Sequence, residues 1–431
     1  MTSYRDLARN HDFTILWVGE TISELGSTMS LFVFPLLGYH LTGSTAVAAL
    51  LEGAGLLGMV AMMLPAGVLA DRYDRRTLML AASAAGSLLY GSLAVAGYLG
   101  ELTIPHLAVV ALLSGVAQGV FQPAQMAAIR KVVSTEDLAT AFSQNQARQH
   151  VASLVGGPLG GLLYAVRAWA PFVVDAISYC VSCLTLSRIR TDLRPQPRTG
   201  APTRPVQQVK EGYRFIRHQP FFRTLMVWAT INNLVINACF FVVIMRLVRD
   251  GVQPAQIGLV STFAGVGGIL GALAAPYVID RLRTGTLTVL VGWMCVLPLV
   301  PLVWFSTAWA ACASVFTLLL LNPAGNAGIG AYRAAMTPDE LQGRVGSALS
   351  FAGMGAMPLA PVLGGLLLGS LGGSTAIAAL VAATGLAAMI PTLSRSIRSV
   401  PRPAAWPRLE GGARVGETAT MNPPISDPAC V

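Results

Sequence analysis

The sequence predicts an all-α polytopic membrane protein: twelve transmembrane helices arranged as two six-helix parallel repeats. Three observations predict it. Of 431 residues 54% are hydrophobic and 11% charged, where a soluble chain carries about 25% charged residues. Apolar runs of about 20 residues, long enough to cross a bilayer as a helix, begin near residues 13, 45, 77, 106, 140, 168, 221, 257, 287, 309, 345 and 374. The chain also repeats itself. Thr21-Ile22-Ser23-Glu24-Leu25 and Asp71-Arg72 recur 209 residues later as Thr230-Ile231-Asn232-Asn233-Leu234 and Asp280-Arg281. Arg130 with Glu136-Asp137-Leu138 recurs as Arg333 with Asp339-Glu340-Leu341. Charged residues recurring in register at helix ends point to a parallel duplication.

In order, a short basic lead-in (Met1 to His11) precedes span 1, which is too long and too polar for a cleaved signal peptide. Turn-formers mark the joins at Thr42-Gly43-Ser44, Thr103-Ile104-Pro105, Gly251 to Pro254, Gly285 and Gly372-Gly373. The longest polar interruption, Arg188 to His218, divides the spans six and six and holds Pro195, Pro197, Pro202 and Pro205. It reads as a linker ending in a short helix around Val209 to Arg217. The expected divisions are a first half over 1–187, a linker over 188–220, a second half over 221–395 and a disordered tail over 396–431.

The net charge of +9 could suit a nucleic acid, but the charges sit in short loops and tails, where membrane orientation accounts for them. With both termini cytoplasmic, 26 of the 29 Lys and Arg lie inside and only Arg167, Arg246 and Arg249 outside. Lys131 and Lys210 are the only lysines and neither closes a phosphate-binding loop, so no P-loop ATPase is present. The six cysteines form no metal-ligand spacing and read as packing residues, with Cys430 in the tail.

Between spans 2 and 3 stands Gly67-Val-Leu-Ala-Asp71-Arg72-Tyr-Asp74-Arg75-Arg76. It resembles the signature loop of the major facilitator superfamily, with Asp74 where that family often has Gly. The resemblance implies the superfamily's fold, a cavity lined by spans 1, 2, 4, 5, 7, 8, 10 and 11, and a conformational latch. Asp71 would face the start of span 11 near Arg344 when the cavity opens outward, and Asp280 with Arg281 would mirror it at the start of span 5. Leu16-Trp17-Val-Gly19, Leu41-Thr42-Gly43-Ser44 and Pro171-Phe172-Val-Val-Asp175-Ala176 are similar to the drug and macrolide exporter branch, and to siderophore exporters. Gly156-Gly157-Pro158-Leu-Gly160-Gly161 resembles the antiporter motif, one residue short. Its glycines permit close helix approach and Pro158 removes a backbone donor, so it reads as a packing seam or a gating hinge. Many proton-coupled relatives carry Arg in span 4, four residues before a Gly; Gly115 stands there instead.

Intramembrane carboxylates are costly and by default functional. Glu20 and Glu24 share a face of span 1, and Glu52 lies in span 2. All three are candidates for proton coupling or cation binding, the plain alternatives being that Glu20 snorkels to the surface and Glu52 bonds a neighbouring helix. The second half carries Asn233 and Ser261 at the positions of Glu24 and Glu52. Trp17, Gln118, Gln122, Trp228, Asn232, Asn233, Asn237, Asn322 and Asn326 are candidate cavity residues suited to a bulky amphiphile, while Asp175 is assigned a structural role. The expected protein is not an enzyme. It is a secondary transporter in the cell membrane exporting a lipophilic or amphiphilic antibiotic or metabolite by proton antiport. It would use the proton motive force and no cofactor, act as a monomer, and bind neither ATP nor nucleic acid. Siderophore or peptide-metabolite export, and a non-transporting membrane sensor or assembly partner, are the alternatives.

Overall fold

The computed structural model describes residues 10–134, 137–194, 205–338 and 341–406. The lead-in up to residue 9, Pro195, Pro197, Pro202, Glu136, Asp339, Glu340 and the tail beyond Trp406 with Cys430 lie outside the described residues. Among the described residues the regular structure is entirely helical. The first half holds α1 (His11–Thr42), α2 (Thr45–Met62), α3 (Pro65–Arg72), α4 (Arg75–Leu99), α5 (Ile104–Val132), α6 (Leu138–Val166) and α7 (Ala170–Ser187). A linker helix α8 (Pro205–His218) leads to α9 (Pro220–Arg249), α10 (Pro254–Arg281), α11 (Thr284–Met294), α12 (Ala308–Met336), α13 (Gln342–Gly355), α14 (Leu359–Leu371), α15 (Gly373–Leu393) and α16 (Arg395–Arg398).

Local chemistry sets the boundaries. Asn10 Oδ1 accepts from the Phe13 amide at 3.1 Å to start α1, and Gly43, at φ +66, ends it in the left-handed conformation that glycine adopts without a Cβ penalty. Three spans are broken by proline, which lacks the amide a continuous helix needs. Pro65 separates α2 from α3, Pro358 separates α13 from α14, and Pro298 and Pro301 turn the second half of span 9 into a 3₁₀ segment over Leu297–Val303. Among the described residues eleven spans are long and apolar enough to cross a membrane by length and composition, counting α13 with α14 as one and α11 with its 3₁₀ segment as one. The twelfth, α6, has 29 residues but carries Ser-Gln-Asn-Gln-Ala-Arg-Gln-His over 143–150, a polar run that belongs against protein rather than lipid.

The expected disordered tail is corrected over its first residues. Residues 396–406 are folded: Ile397 is buried, the Val400 and Pro401 carbonyls accept from Gly285 and Thr284 amides, and the Trp406 ring packs edge-on against Tyr332. The start of the linker is docked too, because Asp12 accepts hydrogen bonds from both Arg190 and Thr191 amides and the Thr191 hydroxyl.

These contacts, with Asn10 Nδ2 donating to the Val132 carbonyl and Arg76 to the Ser187 carbonyl, gather both described chain ends at one end of the bundle. The halves are pinned together at the other end by two seams. Thr45 Oγ1 of α2 donates to the Gly365 carbonyl of α14 at 3.2 Å, and Thr262 Oγ1 of α10 donates to the Leu154 carbonyl of α6 at 2.7 Å. In the second seam the Gly157 and Gly258 backbones touch, as do Gly161 and Pro254. At the end bearing the chain termini, a Cβ added at Gly67, Gly343 or Gly346 would meet nothing within 4 Å. The halves touch along these two seams, while Gly67, Gly343 and Gly346, at the end that carries the described chain ends, have open space beside them.

Candidate functional site

Helix α1 places Glu20, Ser23, Glu24, Ser27 and Leu31 on one stripe, since residues three and four apart share a helix face. That stripe borders two adjoining voids. The larger, about 280 Å³, is lined from α1 by Ser27, Leu31 and Phe34, from α2 by Glu52, and from α9 by Phe240 and Phe241. The smaller, about 40 Å³, contains Glu20, Glu24, Gln122, Gln125 and Gln149. Ser27, Gln118 and Tyr179 line both, so these three side chains form a common wall.

The smaller void holds a buried charge cluster. Glu20 is 5% exposed, and its carboxylate accepts from Ser182 Oγ at 3.2 Å and Gln125 Nε2 at 3.3 Å. Arg148 of α6 is 3% exposed and donates to the Glu20 carbonyl at 2.6 Å and to Asn145 Oδ1 at 2.9 Å. Its Nη1 stands 3.8 Å from a Glu24 carboxylate oxygen, and the Glu24 side chain is 32% exposed. Arg148 Nε has no hydrogen-bond partner among the described residues. The guanidinium therefore anchors span 5 to span 1 and leaves Glu24 facing the void.

From Ser27 a second polar thread enters the first half. Ser27 Oγ lies 2.9 Å from Tyr179 Oη and 3.4 Å from an Asp175 oxygen, hydrogen-bonded to both. Asp175 is fully buried and also accepts from Ser178 Oγ at 3.1 Å. Tyr90 and Tyr179 stack with centroids 5.8 Å apart and both border the larger void. Glu52 makes no hydrogen bond or ion pair among the described residues. No group of His, Cys, Asp and Glu among those residues could hold a metal ion.

A family model described as Major Facilitator Superfamily matches residues 16–321. The chain belongs to the major facilitator superfamily. It is a multi-pass membrane transporter, not an enzyme. Multidrug efflux pump Tap of Mycolicibacterium fortuitum is 26% identical over 397 residues, covering 87% of this chain and 91% of that protein. Macrolide efflux protein A of Streptococcus pyogenes is 25% identical, covering 62% of this chain and 67% of its own. Two crystal structures share the fold. A bacterial homologue of the lysosomal transporter Spinster, inward-facing and unoccupied, has a TM-score of 0.70 at 14% identity, covering 93% of this chain and 98% of its own. A bacterial homologue of ferroportin, also inward-facing, has 0.67 at 16%, covering 91% and 99%.

The facilitator's halves contribute unequally to the voids. Glu20, Glu24, Glu52, Gln118 and Gln122 all line them. Glu20 is buried rather than snorkelling, and Glu52 bonds no neighbouring helix among the described residues. Trp17 is 36% exposed and borders a separate small crevice beside Arg148. Trp228 is corrected: it is buried in the core of the second half with Leu225 and Val291. Asn232, Asn233 and Asn237 line neither void; Asn237 Nδ2 bonds back to the Asn233 carbonyl. Asn326 and Asn322 pair with each other at 2.8 Å.

The signature loop is locally ordered. Asp74 caps α4 by accepting from the Arg76 amide at 3.1 Å, which explains an acid where the superfamily often has Gly. Arg75 Nε donates to the Ala70 carbonyl at 3.4 Å, and Arg281 lies 3.9 Å over the Tyr277 ring. Arg344 pairs with Glu211 of the linker helix at 2.8 Å. The Gly156 to Gly161 stretch is a packing seam within an unbroken helix. Gly156 and Gly160 pack on Thr28 and Met29 of α1, while Gly157 and Gly161 pack on α10 of the other half.

Gly115 also acquires a reason. A Cβ there would collide with the Gly55 carbonyl, so spans 2 and 4 approach too closely to admit arginine. The buried arginine is in span 5 instead. Sequence reasoning missed Arg148 and counted it with the inner loops, although it lies ten residues inside α6. The polar run over 143–150 was the available signal.

Proposed function

We propose that this facilitator exports a lipophilic or amphiphilic small molecule across the cell membrane by alternating access, exchanging it for protons. One observation carries the reading: an apolar cavity of about 280 Å³ and a small acid-lined void lie side by side, sharing the side chains of Ser27, Gln118 and Tyr179. Cargo and proton would then share one wall of the first half. The end bearing the chain termini is cytoplasmic in this reading, so the conformation described here loads from inside. The efflux functions named for Tap and Macrolide efflux protein A support export over import.

Glu24 is the carrier, because it faces the void and Arg148 stands 3.8 Å away. A proton on Glu24 removes the charge that Arg148 balances, and loss of the proton restores the pair. Glu20, held by Ser182 and Gln125, fixes the helix register around the exchange. One proton suffices: 100 mV supplies about 2.3 kcal/mol per charge, roughly a fifty-fold gradient.

The test is Glu24→Gln in reconstituted vesicles. Substrate-driven proton flux should vanish while folding and membrane insertion persist. Undiminished proton flux would remove Glu24 from the mechanism.

A further inference from the structure

We infer that the larger cavity is a cation site, with Glu52 as the counter-charge for one protonated amine on an amphiphilic substrate. This rests on the reading of that cavity as the cargo site, and it narrows the cargo to lipophilic monocations.

Glu52 projects from α2 into the wall of the 280 Å³ cavity. Glu20 has Ser182 and Gln125, Glu24 has Arg148, and Asp175 has Ser27 and Ser178. Glu52 has no hydrogen-bond or ion-pair partner among the described residues. Among the described residues no Lys, Arg or His lines that cavity. Its walls are apolar and aromatic, with Phe32, Met59, Phe240, Phe241 and Ile244 around the acid.

A carboxylate in such a wall is costly unless something of opposite charge meets it. Among the described residues none stands beside Glu52 as a counter-charge, which leaves that place open to a cationic ligand. A protonated amine would match the carboxylate, aromatic faces attract cations as well, and the lipophilic remainder would fill the apolar volume. An anion would meet an uncompensated like charge. A neutral polar solute would find few groups beyond Ser27, Ser114, Gln118 and the two tyrosines. The equivalent position in the second half is Ser261, which sits in the seam against Gly157, so that half offers no competing acid at the repeat position.

The test uses the full chain in lipid nanodiscs without any gradient, and three fluorescent probes of one scaffold. They are dansylcadaverine (an amine), its N-acetyl derivative (neutral) and dansyl-6-aminohexanoate (an anion). The wild type should bind the amine at least about tenfold more tightly than the acetylated probe, about 1.4 kcal/mol, and the anion most weakly. Glu52→Gln should reduce that preference to within about threefold, and Glu52→Asp should retain most of it. Size-exclusion profiles check that each variant is folded, and the wild-type comparison stands even if Glu52→Gln does not fold. Equal binding of amine and acetylated probe by the wild type overturns the inference while leaving the exporter reading in place. Loss of preference in Glu24→Gln but not in Glu52→Gln also overturns it. Failure of all three probes to bind overturns both this inference and the cargo cavity.

Discussion

Replacing Arg148 by Met keeps most of the side-chain volume and removes the guanidinium that, among the described residues, pairs with Glu24. At 3.8 Å two unit charges attract by about 1 kcal/mol in water and about 4 kcal/mol at an effective dielectric of 20. The Glu24 side chain is 32% exposed, so the coupling should fall between those limits. Arg148→Met also strips donors from the Glu20 carbonyl and Asn145, and breaking a buried pair from one side costs about 3–5 kcal/mol. Denaturation in mixed micelles should therefore show Arg148→Met strongly destabilised. The double variant with Glu24→Gln should be about 1–4 kcal/mol more stable than the sum of the single effects. Additivity within about 0.5 kcal/mol would refute the pairing, and with it the idea that Arg148 answers to the charge on Glu24.

Three further outcomes are expected. Gly157→Leu forces a side chain into the α10 backbone, and overpacking of about 1–3 kcal/mol would be felt only while the seam is closed. Labelling of a cysteine at Leu31, in a cysteine-free background, should rise about 5- to 150-fold from the outer side; unchanged labelling would show that the seam does not gate. Asp71→Asn should favour the present conformation by roughly five- to thirty-fold, from about 1–2 kcal/mol lost at the opposing helix start. Persistent transport with unchanged accessibility would reduce the loop to a topology signal. Fluorescent tags at both termini should light up in the cytoplasm, where correcting for Arg148 leaves 25 of the 29 basic residues. An external tag at either end would overturn the orientation.

Much of this was legible because membrane helices announce themselves locally. Gly43 ends span 1 as its turn chemistry required, at φ +66, and Glu20 and Glu24 share the face their spacing implied. The short helix expected near Val209 to Arg217 lies within α8. What stayed hidden was pairing across distance. Arg148 and Glu20 are 128 residues apart, and the polar run over 143–150 marks a protein-facing side of span 5 without saying which helix its arginine meets. Trp228 misled for a related reason, since an aromatic residue in a cavity-type span has several faces available. In this chain its face is turned into the core with Leu225. The proline breaks in spans 2, 9 and 11 were visible as residues, but their effect depended on how far each helix had to continue.

The repeat has a genealogical consequence. One ancestral six-helix unit, copied, would have given two copies of each acid or of each neutral residue. Here Glu24 and Glu52 answer to Asn233 and Ser261, and α9 lends only Phe240, Phe241 and Ile244 to the larger void. The copies have kept a common architecture while their chemistry diverged, one specialising in charge and the other in leverage. If the larger void holds the cargo, a drift in cargo preference would need changes mainly in the first copy. The second could be exchanged for that of a distant cousin so long as its glycine contacts at 258 and 365 still let the pair close.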